Sequence, residues 1–304
     1  MDKIKFENFV EKTKSFYKKF NKKLSPFCVV KIVLTSRLPF FKKIVYLIPS
    51  KIFIFQEREN LILEYRIKNL LKDLNHILNN KEEKKAPFFK IIKDENFEFF
   101  SNMENFSMVI LKDQYLVNQF IKKNDIVIDA GANIGFFSLF AAFKEAKVFA
   151  FEPVSETYNR LLENINYFKA EKEIFPFCFA LGDLKKESLI RFNPFSSDQS
   201  TIIDSGRSLT KKFVLKKVNI ITIDDFVNEN KIKKIDFIKI DTEGYELKIL
   251  KGAKETIKKF KPKIAISAYH KKEDKKEIPD FLLKIRPDYQ YKLIKRAEEI
   301  FIFF

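Results

Sequence analysis

The sequence predicts an α/β fold in which a doubly wound, seven-stranded sheet with an antiparallel last strand follows a basic helical N-terminal region. Three observations lead to this prediction. From about residue 97, short apolar runs alternate with amphipathic helical segments. The runs are apolar at nearly every position, which is typical of parallel strands covered by helices on both faces. The last two runs are too close together for a parallel crossover, so they should form an antiparallel hairpin.

Seven apolar runs are the candidate strands of this sheet. They are IVIDA (126–130), VFAFE (148–152), IFPFCFAL (174–181), DFIKID (236–241), KIAISAY (263–269), YKLI (291–294) and EIFIFF (299–304). Apolar residues at helical spacing predict the helices between them. These helices cover 134–145, 155–168, 246–259 and 274–285.

The first 80 residues have a different character. Over 6–24, aromatic and aliphatic residues recur on one helical face and lysines cover much of the rest, which is the pattern of a basic amphipathic helix. A second amphipathic helix is predicted over 59–79, and the polar stretch that follows it is typical of a linker. The chain is therefore divided into a basic helical N-terminal region at 1–80, a linker and approach segment at 81–96 and an α/β domain at 97–304.

The net charge of +17 is concentrated near the start of the chain. Residues 1–56 hold 13 basic and 3 acidic side chains, whereas the rest is more nearly balanced. A helical cap on the α/β domain is our first interpretation of this region, and contact of residues 1–56 with an anionic membrane is the second. Binding of nucleic acid ranks third, because the basic helical face lacks interleaved aromatic residues that could stack on bases.

The two cysteines, Cys28 and Cys178, have neither metal-ligand spacing nor a disulfide framework, so a reducing compartment is the default. No secretory leader is recognisable over 1–23. The apolar stretch 24–55 contains no uncharged run longer than seven residues, too short to span a bilayer as a helix. We therefore predict a cytoplasmic location, either free or peripheral to the inner face of the membrane.

The segment VIDAGANIGFFS (127–138) contains two of the chain's six glycines, Gly131 and Gly135. Glycine lets the backbone turn sharply and approach a ligand closely. The turn follows the first strand, and open α/β sheets bind ligands outside the carboxyl ends of their strands. The helix predicted after the turn would direct free N–H groups to the same place. The sequence therefore indicates a ligand site here.

Neither common phosphate-binding pattern fits this turn. A P-loop needs Lys and then Ser or Thr where Phe136 and Phe137 stand, and a dinucleotide turn needs Gly in place of Asn133. Glu152, 21 residues after the first glycine, is placed to accept hydrogen bonds from two ribose hydroxyls. Asp129 adds negative charge, which disfavours phosphate and favours a cationic ligand. An adenosine with a positive charge and no phosphate is S-adenosylmethionine.

Three ordered motifs resemble the FkbM family of class I methyltransferases. They are DAGANIGFFS (129–138), FEP (151–153) and DFIKIDTEGYELKILKGA (236–253). The resemblance covers about 97–304 and implies a Rossmann-like, seven-stranded sheet whose last strand is antiparallel. It also implies an O-methyltransferase that uses S-adenosylmethionine.

The resemblance further implies a set of cofactor-binding residues. The methionine end would lie among Asp129, Gly131, Asn133 and Gly135, the ribose on Glu152, and the adenine beside Ala180, Leu181, Gly182 and Asp183. Asp241, at the end of the fourth strand of the domain, would border both the cofactor and the acceptor.

Methylation of a hydroxyl calls for a base, because an alcohol has a very high pKa. Asp241 and Glu243 follow the fourth strand, Tyr269 and His270 follow the fifth, and neighbouring strands bring these ends together. We predict Asp241, Glu243 and His270 as catalytic residues. As alternatives, the two acids could favour a helix dipole and the histidine could lie on a solvated loop. The three could also ligate Mg²⁺ or Mn²⁺, but their spacing does not require it and no metal is predicted.

The predicted function is O-methylation of a hydroxyl on a sugar, a glycan or a related small polar acceptor. Methylation of RNA or protein on the same fold is one alternative, and a membrane-associated scaffold with a decayed cofactor site is another. The presence of Gly131, Gly135, Glu152 and Asp241 argues against decay.

Two further features bear on the acceptor. The polar segment 196–208 is interpreted either as a substrate lid or as a surface loop. Relatives in the family often have an Arg-His pair before the last strand, where this chain has Lys295 and Arg296 without a histidine. If that pair binds the substrate in relatives, we expect the acceptor of this protein, or its pKa requirement, to differ from theirs.

Overall fold

The computed structural model describes residues 1–20, 105–192, 200–205, 213–295 and 298–304. The strands are β1 Ile126–Ala130, β2 Lys147–Phe151, β3 Ile174–Phe177, β4 Ala180–Leu181, β5 Lys186–Phe192, β6 Thr201–Ile202, β7 Val214–Ile221, β8 Phe237–Ile240, β9 Lys263–Ser267, β10 Tyr291–Lys295 and β11 Glu299–Phe303. The helices are α1 Lys3–Phe20, α2 Val117–Phe120, α3 Phe136–Phe143, α4 Ser155–Tyr167, α5 Ile223–Glu229, α6 Glu246–Lys251, α7 Lys254–Phe260 and α8 Asp274–Ile285. A π-helical turn at Ser107–Leu111 and a 3₁₀ turn at Ile203–Ser205 complete the set.

Seven strands form the main sheet in the order β10-β11-β9-β8-β1-β2-β3. Neighbouring strands from β9 to β3 pair in parallel, and β11 pairs antiparallel with both β9 and β10. The predicted fold class is confirmed, including the hairpin at the end of the chain. The order reverses at β1 and β8, so the ends of these two strands define the crevice in which such sheets bind ligands.

A second, four-stranded sheet, β4-β7-β5-β6, was not predicted. The run 174–181 was expected to be one strand, but it divides into β3 in the main sheet and β4 in the second. The residues of this run are nearly all apolar, so hydrophobicity alone gave no sign of the break. The pairing of β4 with β7 determines where the chain changes sheet.

The helix expected over 246–259 is also divided, into α6 and α7, at Gly252. A Cβ atom on this glycine would lie 1.9 Å from the carbonyl oxygen of Gly182, so only glycine fits the contact. Gly252 therefore permits close packing of this helix start against the backbone of Gly182. The helix expected from 134 begins at Phe136, because Gly135 before it has a left-handed φ of 98°.

The start of the chain packs against the α/β domain. Met1–Val10 belong to one compact unit with Lys93–Phe304, and Glu11–Ile92 form another. Within the first unit, the Phe6 ring meets Phe168 edge-on with centroids 5.4 Å apart, and the Phe9 ring meets Phe106 at 5.8 Å. The predicted helix over 6–24 is confirmed as far as α1 extends.

Most of the N-terminal region, 21–104, lies outside the described residues. The helix at 59–79 and the boundaries at residues 80 and 96 are among the features there, so the division into 1–80, 81–96 and 97–304 stays a prediction. None of the helices in the described part of the chain combines the length and the apolar character needed to cross a bilayer.

Candidate active site

The glycine turn and the end of β8 touch. The amide of Asp241 donates a hydrogen bond to the carbonyl of Ala130, with a nitrogen–oxygen distance of 3.2 Å. A Cβ atom on Gly131 would lie 2.1 Å from the carbonyl oxygen of Asp241, and Gly131 has a φ of 77°. Only glycine satisfies both constraints without strain. The structure thus brings the predicted cofactor turn and the predicted catalytic aspartate to one edge of the sheet.

The rest of the turn is shaped by neighbouring elements. Gly135 has a φ of 98°, and a Cβ atom there would lie 2.5 Å from Cδ1 of Leu161 on α4. Asn133 is also left-handed, with a φ of 51°. Its amide donates to Oε2 of Glu152 at 3.0 Å. The conformation of the turn is therefore coupled to the acid that ends β2.

Glu152 is 7% exposed, and backbone amides hold both of its carboxylate oxygens. Oε2 accepts from Asn133, and Oε1 accepts from the amide of Val154 at 3.0 Å. Burial raises the pKa of Glu152 to about 7, against the opposing effect of the two amides. A carboxylate offers about four acceptor positions, and only two are used here. The group can therefore still accept from two hydroxyls, as the ribose prediction requires.

Asp129 has a different environment from the one we expected. Its side chain is fully buried. One oxygen accepts from Ser138 Oγ at 2.6 Å and the other lies 3.1 Å from Nζ of Lys239. The same ammonium donates to the carbonyl of Gly131 at 2.6 Å. Lys239 therefore offsets the negative charge that the sequence places beside the turn, and the pair supports the turn from inside. The place of Asp129 around the methionine end stays a prediction.

The segment predicted beside the adenine contributes mainly backbone. The Leu181 side chain is 3% exposed and belongs to the apolar core, and the Gly182 amide donates to the carbonyl of Ile221 at 2.9 Å. Asp183 differs from both. Its Oδ1 is buried, and no described residue donates a hydrogen bond to it. It is therefore an acceptor to which a ligand amino group could donate.

The Asp241 side chain is 21% exposed. Its Oδ2 accepts a hydrogen bond from Tyr115 Oη at 2.6 Å. Burial acts to raise the pKa of Asp241, but the charges of Lys239 and His270 and the hydrogen bond from Tyr115 outweigh it, so the pKa is lowered. Burial and the charge of Asp241 raise the pKa of Tyr115, which keeps this phenol a hydrogen-bond donor. Tyr115 precedes β1, and nothing in the local sequence pattern pointed to it.

His270 lies behind the two acids. Its side chain is fully buried, whereas Glu243 is 17% exposed. Nε2 of the ring is 3.3 Å from Glu243 Oε1 and 3.8 Å from Asp241 Oδ1. The three predicted catalytic residues do come together. The two carboxylates are partly exposed and the imidazole is not, and the catalytic roles of all three stay predictions. Burial of the ring also excludes the alternative of a solvated loop.

The same three side chains could hold a divalent cation. Their ligand atoms all lie within 4.8 Å of one another. Two carboxylates and an imidazole suit several divalent metals. The same arrangement also serves proton transfer, so the geometry does not by itself require a metal.

Another acidic residue, which the sequence analysis did not single out, lies near Asp241. Glu298 accepts a hydrogen bond from Gln114 Nε2 at 2.9 Å, and Tyr269 also donates to it. Burial and the charge of Asp241 raise its pKa to about 7. Glu298 lies between β10 and β11, close in sequence to Lys295 and Arg296, which stand where relatives often have an Arg-His pair. Lys295 is 68% exposed, and Arg296 lies outside the described residues.

Part of the polar segment 196–208 contacts the site. Of this segment the structure describes 200–205. Thr201 Oγ1 donates to the carbonyl of Glu243 at 2.6 Å. Glu243 has a φ of 58°, a left-handed conformation that costs a non-glycine residue free energy. The segment therefore stabilises an unfavourable backbone conformation at the site, while its interpretation as a lid stays a prediction.

Comparison with known proteins yields a consistent match. The model of the methyltransferase FkbM domain matches residues 129–293. The hexuronic acid methyltransferase AglP of Haloferax volcanii is 25% identical over 181 residues, which are 60% of this chain and 71% of that protein. Methyltransferase sdnD of Sordaria araneosa is 26% identical over 162 residues, 44% of this chain and 62% of that protein.

A solved structure is also similar. The FkbM methyltransferase of Methylobacillus flagellatus KT is 21% identical, with a TM-score of 0.49. The match covers 81% of this chain and 60% of that one.

Proposed function

The chain belongs to the FkbM family of methyltransferases, and from this premise we propose that it transfers the methyl group of S-adenosylmethionine to a hydroxyl of a sugar, glycan or related polar acceptor. The chain is a methyltransferase, and methyltransferases of this family in general use S-adenosylmethionine. The observation on which the proposal depends is the close contact between Gly131 and the backbone of Asp241, which joins the predicted cofactor turn to the strand end that carries our candidate base.

The residues of the crevice fit the cofactor. Glu152 has free acceptor positions for two ribose hydroxyls, and Asp183 has a buried oxygen to which the adenine amino group can donate. The turn from Gly131 to Gly135 would enclose the methionine end. When bound, S-adenosylmethionine supplies an electrophilic methyl group on a sulfonium, and the protein supplies orientation and a base.

Asp241 and Glu243 are our candidates for that base. Both carboxylates are partly exposed at the crevice, unlike the buried His270. The lowered pKa of Asp241 keeps it ionised at neutral pH. An ionised carboxylate within hydrogen-bonding reach of the acceptor hydroxyl can take its proton as the new oxygen–carbon bond forms.

The acceptor class is supported by one observation. A relative is named for methylation of a hexuronic acid. We therefore place hexuronic acids and glycans that contain them first among candidate acceptors.

Two measurements test the proposal. Calorimetry should detect binding of S-adenosylmethionine, and mass spectrometry should detect a gain of one methyl on a uronic-acid glycan or nucleotide sugar. Absence of cofactor binding would refute the proposal as a whole. Methylation of RNA or of a protein, with glycans unmodified, would support methyl transfer as the reaction but refute a sugar or glycan as the acceptor.

Contact of residues 1–56 with an anionic membrane is a separate part of the proposal. Phe6 and Phe9 are buried against the α/β domain, so they would not supply this contact. Sedimentation with anionic liposomes, compared with neutral ones, would measure the contribution of the remaining residues.

A further inference from the structure

Glu246, the first residue of α6, is a fully buried acid that the sequence analysis did not single out. A single oxygen of its carboxylate, Oε1, accepts hydrogen bonds from the amides of Thr242 and Gly244 at 2.9 and 3.2 Å. Its position in the first helical turn also suits a negative charge. The carboxylate is therefore fixed by backbone, independently of the side chains at the crevice.

The same oxygen lies 2.9 Å from Nδ1 of His270, and both side chains are fully buried. A carboxylate can only accept, so Nδ1 must carry a proton. This hydrogen bond fixes the rotation of the ring and directs Nε2 toward Glu243 and Asp241, 3.3 and 3.8 Å away.

Three carboxylates thus surround one imidazole. Which of them Nε2 faces depends on the rotation of the ring, and the hydrogen bond from Nδ1 to Glu246 sets that rotation.

We propose that Glu246 is a positioning residue that fixes the rotation and the Nδ1–H tautomer of His270 and thereby directs Nε2 toward Asp241 and Glu243, the candidate proton acceptors. The proposal rests on the methyl transfer described above. As the bond from the acceptor oxygen to the methyl carbon forms and the sulfonium–methyl bond breaks, the hydroxyl proton passes to one of these carboxylates. His270 and Glu246 do not touch the acceptor.

Other titratable groups act on the same ring and belong in the interpretation of any titration. These groups either contact His270 or act electrostatically on His270 or on its hydrogen-bond partner Glu246. They are Asp241, Glu243, Glu246, Tyr269, Asp274 and Glu298. They come from the ends of β8 and β9, from α6 and α8, and from the β10–β11 connection.

Nitrogen-15 NMR of the imidazoles provides a test that does not depend on activity. The sequence has only two histidines, so His76→Asn leaves His270 as the single signal. We expect His270 to carry a proton on Nδ1. A ring with a bare Nδ1 would overturn the proposal without any variant at Glu246.

Glu246→Gln then tests the positioning role. Glutamine keeps the size and can still accept from the two amides, but its neutral oxygen is a weaker acceptor for the Nδ1 proton. We expect the share of His270 with a bare Nδ1 to rise in the nitrogen-15 spectrum and kcat to fall about 100-fold. The KM for S-adenosylmethionine should be little changed, and Glu246→Asp should restore part of the activity.

The control is Glu255→Gln, which removes an exposed acid of α7. It should leave the His270 tautomer and kcat unchanged. Unaltered behaviour of His270 in Glu246→Gln would overturn the proposal, even if methyl transfer is intact. Absence of cofactor binding in the wild type would instead refute the proposed function. If Mn²⁺ removes the Nε2 proton of His270, a metal-ligand role replaces the one proposed here.

Discussion

The ammonium of Lys239 lies 3.1 Å from the carboxylate of Asp129, and both side chains are buried beneath the glycine turn. The lysine comes from β8 and the aspartate from β1, so the pair joins the two strands at the point where the sheet order reverses. It also connects fold stability to the site, because Lys239 donates to the carbonyl of Gly131.

Lys239→Met should therefore destabilise the protein strongly. It leaves Asp129 buried without a counter-charge, which costs about 3–5 kcal/mol. Lys258→Met, which removes an exposed lysine paired with Glu255, should change stability by only about 0.5 kcal/mol. Chemical denaturation of the two variants measures the difference. Equal stability would show that the buried pair contributes little.

Gly131→Ala should cost more stability than Gly135→Ala. Both residues have a positive φ, but the added methyl at 131 meets a backbone oxygen, whereas at 135 it meets the end of the Leu161 side chain, which can move. We expect losses of about 2–4 and about 1–2 kcal/mol respectively. Denaturation curves compare them directly, and the reverse order would contradict the contact between Gly131 and Asp241.

Cofactor affinity should depend on the ionisation of Glu152. The neutral acid has fewer acceptor positions for ribose hydroxyls, so affinity should rise as the pH increases through about 7, the pKa of this buried group. Glu152→Gln should weaken binding about tenfold or more and flatten this dependence. Calorimetry at several pH values measures both effects. Unchanged affinity would mean that the ribose lies elsewhere.

Stability should show the opposite dependence on pH from cofactor affinity. The folded-state pKa of Glu152 is raised, so the folded protein holds a proton that the unfolded chain has lost between about pH 4.5 and 7. This contribution is fully present at acid pH and is lost as the pH rises through about 7. Glu152→Gln should abolish the effect, so the stability difference between wild type and variant should vary across this window in denaturation experiments. A constant difference would argue against the raised pKa.

Tyr115→Phe should move the acid limb of the activity profile to higher pH. Without the phenol, Asp241 loses a hydrogen bond that favours its ionised form, and its pKa rises. Tyr289→Phe is a matched control, since Tyr289 is also buried but donates to the carbonyl of Pro262. If both variants keep the wild-type profile, ionisation of Asp241 does not limit the reaction.

Much of the fold was predictable because it depends on local pattern. Continuous apolar runs marked each strand of the main sheet, and the short link before the last strand required an antiparallel hairpin. The four-stranded sheet was missed for two reasons. Most residues of β5 are only partly buried, so its sequence shows no continuous apolar run, and β6 has only two residues. The break between β3 and β4 was missed because pairing partners, which are distant in sequence, determine it.

The candidate site was predictable to the extent that motif residues lie at strand ends. Asp241, Glu243 and His270 came together as expected, but their different exposures did not follow from the sequence. Tyr115, Glu246 and Glu298 were missed, since they act on the site through contacts across the fold rather than through spacing.

By itself, the sequence determined the kind of fold, the family and the strand ends that carry polar groups. The spacing of hydrophobic residues and the short motifs are local properties of the chain, so they can be read without the tertiary structure. Only the tertiary structure decided which acids are neutralised and which face the crevice. Lys239 cancels the charge of Asp129, and Glu246 fixes His270 behind two carboxylates. Burial and charge pairing involve residues far apart in the chain, so they exist only once the strands have been brought together.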